Sequence, residues 1–274
     1  MDEPNIVTLA DPDACALAAA ERIVEILDVA IDTRGEAHWA TTGGSTPVAI
    51  YQHLAGSLRN EIDWRKVRLW WTDERFVPFD HPLSNAKLAF DHLLDASAFT
   101  GESGTGASGA DVLNGQLPGV PIRAVDVHPF PAGEAIGEGR DPDWCATRYV
   151  SELRADGPDE NDDGIPALDL MLLGVGPDGH ILSVFPGSET FDREVWALGV
   201  PAPTHVEPHV ARVTLNPSFV GAAYNVVVVS HGEGKAEVLR DVLRGPVEPR
   251  RLPAQLARRP SATWFLDQAA ARLL

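Results

Sequence analysis

The chain runs to 274 residues, with 22 Lys and Arg against 40 Asp and Glu and a formal net charge of −18. That balance excludes broad electrostatic attraction to nucleic acid or to an anionic membrane, so an anionic ligand must be held by a local cluster of cations. No apolar run approaches the roughly 18 residues of a membrane span and no basic-then-apolar leader is visible, so a soluble cytoplasmic protein is expected.

The length suits a single α/β domain over 1–274. Asn5 to Leu9 reads as a strand, and Asp11-Pro12 supplies an N-cap followed by proline at the first helical position. Leu17, Ala20, Val24, Leu27 and Ile31 recur every three or four residues, which predicts an amphipathic helix over 12–31. A strand near His38 to Thr42 runs into Gly43-Gly44-Ser45-Thr46-Pro47, where Thr46 can cap and Pro47 can start a helix carrying Val48, Tyr51 and Leu54. Strand, glycine turn and helix N-terminus together make a recurrent phosphate site, because free backbone N–H groups and the positive helix end converge there. Ser45 and Thr46 would add hydroxyl donors. The same residues also fit an ordinary capped turn, and local sequence does not separate the two readings.

Val67 to Trp71 is the next strand, and it ends in Thr72-Asp73-Glu74-Arg75-Phe76-Val77-Pro78. Charges at the carboxyl end of a strand lie where open α/β sheets build their sites, although a solvated turn accounts for them equally well. Ser84-Asn85 opens a helix through Leu88 and Leu93-Leu94. Residues 100–120 are rich in Gly, Ser, Thr and Ala without a hydrophobic period, which predicts a flexible loop. Ile122 to Val127 reads as a strand, Pro142 to Leu153 as a helix, and the acidic run from Asp156 to Asp163 as a solvated connection.

Leu168 to Leu173 is apolar except for Asp169, and it ends in Gly174-Val175-Gly176-Pro177-Asp178-Gly179-His180. This reads as a buried strand delivering an acid and an imidazole at its carboxyl end. Gly174-x-Gly176-x-x-Gly179 matches the dinucleotide fingerprint, but Pro186 follows too soon for an uninterrupted helix and no ribose-binding acid ends a later strand. The glycines instead suit a turn that admits a small ligand and holds His180 at its rim. A titrating imidazole is useful there, and a purely structural histidine fits the residues as well.

His205-x-Glu207-x-His209 has metal-like spacing, but prolines at 201, 203 and 208 make it a loop, and no metal is expected. No G-x-S-x-G elbow occurs, and the turn before Lys235 lacks the Ser or Thr of a nucleotide P-loop. Cys15 and Cys145 lie far apart and read as packing residues. Val210 to Leu215 is a strand, Asn216-Pro217 opens a short helix, and Asn225 to Ser230 is a buried strand leading through His231-Gly232-Glu233-Gly234-Lys235 into a helix. Ala262 to Leu266 is the last strand, with a short closing helix after it. Strands alternate with helices, which predicts a mostly parallel sheet with helices on both faces.

Several motifs, taken together and in order, resemble the glucosamine-6-phosphate isomerase/6-phosphogluconolactonase family, and its lactonase branch in particular. They are Gly43 to Pro47, Asp73-Glu74-Arg75 with Val77-Pro78 and Ser84-Asn85, and Leu172 to Gly174 through Gly179-His180 with Ser183 to Gly187. Arg212 to Leu215, Gly234-Lys235-Ala236 and Trp264 to Asp267 continue the match. The resemblance implies a modified Rossmann-like α/β fold, shared with glucosamine-6-phosphate deaminases, ribose-5-phosphate isomerases and CoA-transferases. It also implies hydrolysis of 6-phospho-D-glucono-1,5-lactone to 6-phosphogluconate in the oxidative pentose phosphate pathway, with no cofactor.

By that resemblance Gly43, Gly44, Ser45, Thr46, Arg75 and Lys235 hold the sugar phosphate, and His180 is the base. Asp178 is expected to orient the imidazole or a substrate hydroxyl, and Arg212, Asp73 and Asn85 are expected in the substrate site. The expected partner is a small sugar-phosphate lactone, with no nucleic acid or membrane, and the chain is expected as a monomer or weak homo-oligomer. Thr42, Ile181-Leu182 and Ser230-His231 depart from the usual pattern. An aminosugar-phosphate deaminase or isomerase of the same fold, and a non-catalytic sugar-phosphate sensor, are the alternatives. Ser183-Val184-Phe185-Pro186 resembles the lactonase version more than the deaminase one.

Overall fold

A computed structural model describes residues 3–95 and 119–274, so nearly all of the loop expected at 100–120 lies outside the described residues. In chain order the first elements are β1 (Asn5–Leu9), α1 (Pro12–Arg34), β2 (Ala37–Thr41), α2 (Thr46–Ala55), β3 (Val67–Trp71), β4 (Asp73–Arg75) and α3 (Asn85–His92). Then come β5 (Val127–His128), α4 (Ala132–Gly137), α5 (Pro142–Asp156), β6 (Leu170–Gly174) and β7 (Ala197–Val200). The last are β8 (Arg212–Leu215), α6 (Ser218–Ala222), β9 (Asn225–Ser230), α7 (Ala236–Arg244) and β10 (Ala262–Asp267).

Helix α1 begins and ends as its residues dictate. The Asp11 carboxylate accepts from Ala14 N at 2.9 Å, Pro12 occupies the first turn, and Gly35 closes the helix at φ +86°. Its face of Ala19, Ala20, Ile23, Leu27 and Ala30 is buried, and the helix packs on β9 and β10.

A seven-stranded sheet runs in the order β1-β10-β9-β6-β2-β3-β5 with every neighbouring pair parallel, and helices flank it in a modified Rossmann-like arrangement. Its middle strands are the near-continuous apolar runs that burial on both faces demands: Leu170 to Leu173 and Val226 to Val229 are all buried. From β2 the chain proceeds to β3 and β5 on one side, and from β6 to β9 and β10 on the other. Neighbouring strands whose connections diverge leave a crevice outside their carboxyl ends, where open α/β sheets bind ligands.

The structure corrects three expectations. Asp73–Arg75 is strand β4, not a turn; it pairs antiparallel with β8, which pairs antiparallel with β7 in a separate three-stranded sheet. The expected parallel sheet therefore does not include the strand at 210–215. Only Val127–His128 forms a strand in the 122–127 stretch, because Ala124–Asp126 tightens into a 3₁₀ turn in which Asp126 is ion-paired with Arg123. After β10 the chain ends in turns without the closing helix, with Asp267 Oδ1 accepting from Ala270 N at 2.8 Å. Among the described residues no helix is long and apolar enough to cross a membrane.

Candidate functional site

Three turns enter the crevice: one after β2, one after β6 and one after β9. In the first, α2 starts at Thr46, one residue earlier than expected, and Ser45 at the cap position makes no side-chain capping bond. Gly44 sits at φ +86°, a conformation that costs glycine least. Gly43 lies so close to Asn85 that a Cβ on it would stand 1.7 Å from Asn85 Oδ1. A Cβ on Gly174 would come within 3.8 Å of Thr46 Oγ1, so the first and second turns are neighbours.

The second turn is closed by Gly176 N donating to His180 O at 2.8 Å and Gly179 N donating to Gly176 O at 3.1 Å. Its product is an acid–imidazole pair: Asp178 Oδ1 lies 2.5 Å from His180 Nδ1 and accepts from His180 N at 3.2 Å. The other oxygen, Oδ2, meets His205 Nε2 at 2.9 Å. Burial pushes the Asp178 carboxyl upward, but the hydrogen bonds from both imidazoles and the charge of His180 outweigh it and hold Asp178 well below the usual carboxylate range. An ionised Asp178 takes the proton-bearing Nδ1 of His180, which leaves the Nε2 lone pair free to accept a proton.

Gly176 is needed because the ring lies against it: a Cβ there would stand 2.0 Å from His180 Nδ1. Gly176→Ala is accordingly expected to keep the native circular dichroism spectrum while displacing the imidazole. A displacement near 1 Å costs about 10²-fold in activity. Turnover by a folded variant at the wild-type rate would show that the ring's seat is not critical.

The third turn brings Lys235 back across the crevice, where Nζ donates to Val175 O at 2.8 Å. Burial lowers its pKa, and the charge of Asp178 opposes the shift.

The small sheet supplies two further cations. Arg75 and Arg212 are directly opposed across β4 and β8. Arg75 Nη1 donates to Leu83 O at 2.9 Å, and its buried Nε has no partner among the described residues. Arg212 is 4% exposed and, among the described residues, donates only to the carbonyls of Val210 and Pro208. Burial lowers its pKa, with Asp73 opposing and Arg75 reinforcing the shift. Among the described residues neither guanidinium is ion-paired to a carboxylate, an arrangement suited to an incoming anion.

The acids beside them are engaged within the protein. Asp73 Oδ2 accepts from Ser183 Oγ at 2.7 Å, tying β4 to the segment after His180. That segment turns sharply, with Leu182 at φ +51° and Val184 N donating to Ile181 O at 3.0 Å. Glu74 accepts from the backbone N–H groups of Arg75, Asn85 and Ala86 at 2.7–2.8 Å and so closes the N-terminus of α3. Burial pushes its carboxyl up to about 7 against the pull of these amides. Asn85 Nδ2 donates to Asp73 O at 2.9 Å, and its buried Oδ1 has no partner among the described residues.

The structure thus brings Gly43, Gly44, Thr46, Asp178, His180 and Lys235 to one crevice, with Arg212 joined to it through Phe185. The Phe185 ring lies 4.7 Å from the His180 ring, and the Arg212 guanidinium lies 5.9 Å from its centroid. Asp73, Arg75 and Asn85 join through Ser183 and Gly43. A cleft of about 720 Å³ beside β7 touches this group only at its edge, through Phe185 and His205, and is not lined by Asp178, His180, Lys235 or the Gly43–Thr46 turn. Two members were not legible in the sequence: Glu74 as the acid that closes α3, and His205, whose local spacing suits a metal while its bond to Asp178 spans 27 residues. His209 instead turns to Pro203 O at 2.7 Å and Glu207 at 3.1 Å. Among the described residues no three His, Cys, Asp or Glu side chains are placed to hold a metal.

The sequence family described as glucosamine-6-phosphate isomerases/6-phosphogluconolactonase matches residues 10–265. A 6-phosphogluconolactonase of Streptomyces coelicolor is 33% identical over 278 aligned positions, covering 100% of this chain and 95% of the relative. The structure of 6-phosphogluconolactonase from Trypanosoma brucei superimposes with a TM-score of 0.78 at 26% identity, covering 100% of both chains. A monomeric glucosamine-6-phosphate deaminase superimposes at 0.73 with 16% identity, covering 98% of this chain and 100% of its own, a likeness of fold alone.

Proposed function

Because this chain belongs to the family of glucosamine-6-phosphate isomerases and 6-phosphogluconolactonases, we propose that it hydrolyses 6-phospho-D-glucono-1,5-lactone to 6-phosphogluconate. The observation that carries the reading is the Asp178–His180 pair at the mouth of the β2/β6 crevice, with Nδ1 held and Nε2 open. A lactone carbonyl is already electrophilic, so the reaction needs an activated water, a stabilised oxyanion and a proton for the departing ring oxygen.

His180 Nε2 removes a proton from the water that attacks C1. The tetrahedral intermediate places its negative charge toward backbone N–H groups of the glycine turns. The imidazolium, steadied by Asp178, then protonates the ring oxygen as the C1–O bond breaks. The substrate phosphate lies on the Gly43–Thr46 turn and the N-terminus of α2, with Lys235 and Arg75 as charged partners and Arg212 on the sugar acid.

A coupled assay tests this directly: glucose-6-phosphate is oxidised by its dehydrogenase, and lactone decay is followed with and without the protein. Decay faster than spontaneous opening is expected. An unaccelerated decay sinks the hydrolase reading, and ammonia release from glucosamine-6-phosphate would establish the deaminase alternative.

A further inference from the structure

His205 stands on the loop 201–211 between β7 and β8, and several contacts fix it there. Arg212 Nη2 and Nε donate to Pro208 O and Val210 O at 3.1 and 3.3 Å, and His209 Nδ1 meets Pro203 O at 2.7 Å. The His205 ring packs edge-on against Phe185 with centroids 5.8 Å apart, and Phe185 also neighbours His180 at 4.7 Å. Two imidazoles thus contact one phenyl ring, and both reach the same carboxylate, one per oxygen.

Asp178 has no other side-chain partner among the described hydrogen bonds, and its own turn donates only His180 N. Without His205, Oδ2 loses its one side-chain hydrogen bond among the described residues, and the carboxylate is freer to rotate about χ2 and trade oxygens on His180. A carboxylate that orients an imidazole works by holding one tautomer and one ring angle, and outer partners commonly enforce that.

We propose that His205 is a positioning residue of this site, its Nε2–H holding the outer oxygen of Asp178 so that the inner one stays on His180 Nδ1. It touches neither the reacting carbonyl nor the water, and acts only through Asp178. The inference rests on the lactonase reading above, deepening its account of the acid–base pair.

Two substitutions in the full chain test it. His205→Phe keeps a ring against Phe185 but removes the donor, whereas His205→Gln places an amide N–H near the position of Nε2. His205→Phe is expected to lower kcat about 10-fold, the lower end of what outer partners of a functional imidazole cost, with KM nearly unchanged. His205→Gln restores most of the loss. The Nδ1 proton resonance of His180, followed by NMR, moves upfield in His205→Phe and stays near the wild-type position in His205→Gln. Unchanged kcat and resonance in a folded His205→Phe variant, a rise confined to KM, or no recovery with Gln would each overturn the proposal. A wild-type protein inactive on the lactone overturns the lactonase reading instead, and the NMR comparison still decides whether His205 positions the pair.

Discussion

His180→Asn is expected to lower kcat by about 10²- to 10⁴-fold, the range for loss of a general base, while KM changes little. Asparagine is the informative replacement because its amide N–H reaches roughly as far as Nδ1. The donor to Asp178 Oδ1, now at 2.5 Å, is kept, and the Nε2 lone pair is removed. The turn closed by Gly176 and Gly179 uses main-chain atoms of residue 180 and survives the change. Loss of rate with retained fold then isolates proton transfer from architecture. Spontaneous opening of the lactone sets the floor, so wild type and variant must be compared after subtracting the protein-free rate. Full activity in the variant would remove His180 from the reaction. A rise in KM at constant kcat would make it a binding group instead.

The elements that deliver this histidine were legible in the chain because burial writes itself locally. The apolar run before Gly174 and the valine run from Val226 can be little else than central strands, and both are. Asp11-Pro12 marks the start of α1 through cap chemistry that acts within three residues. The small sheet was not legible. Strand β4 is three residues of Asp-Glu-Arg, and its pairing with Arg212 to Thr214 joins positions more than a hundred residues apart. No local period encodes such a pairing, and charged residues in a short run look solvated until the fold buries them. Asp73 illustrates the consequence: its motif ties it to substrate, yet its carboxylate is engaged with Ser183. His205 escaped for the same reason, since its spacing to Glu207 and His209 is local whereas its bond to Asp178 is not.

Lys235→Ala is expected to raise KM for the phosphorylated lactone far more than it lowers kcat, and to erase most of the preference over plain gluconolactone. Removing one partner of a partly buried, hydrogen-bonded charge pair costs about 2 to 4 kcal/mol, or roughly 30- to 1,000-fold in affinity. The competing account is that Lys235 only ties two turns together, since Nζ donates to Val175 O at 2.8 Å. A tether lost would tilt the turn carrying His180 and lower kcat without altering the preference for phosphate, so the split between kcat and KM separates the two roles.

The charge of Lys235 gives a second handle. Burial sets its pKa below the ordinary 10.5, with the Asp178 charge opposing. As pH rises, the ammonium therefore loses its proton sooner than a solvated lysine does, and binding of the product 6-phosphogluconate weakens on the alkaline side. Titration calorimetry with that product avoids lactone hydrolysis and should show the alkaline weakening in wild type and its absence in Lys235→Ala. Equal affinity of the two proteins for 6-phosphogluconate at neutral pH would mean that the phosphate is held by Arg75 and the Gly43–Thr46 turn, leaving Lys235 as a strut between β6 and β9.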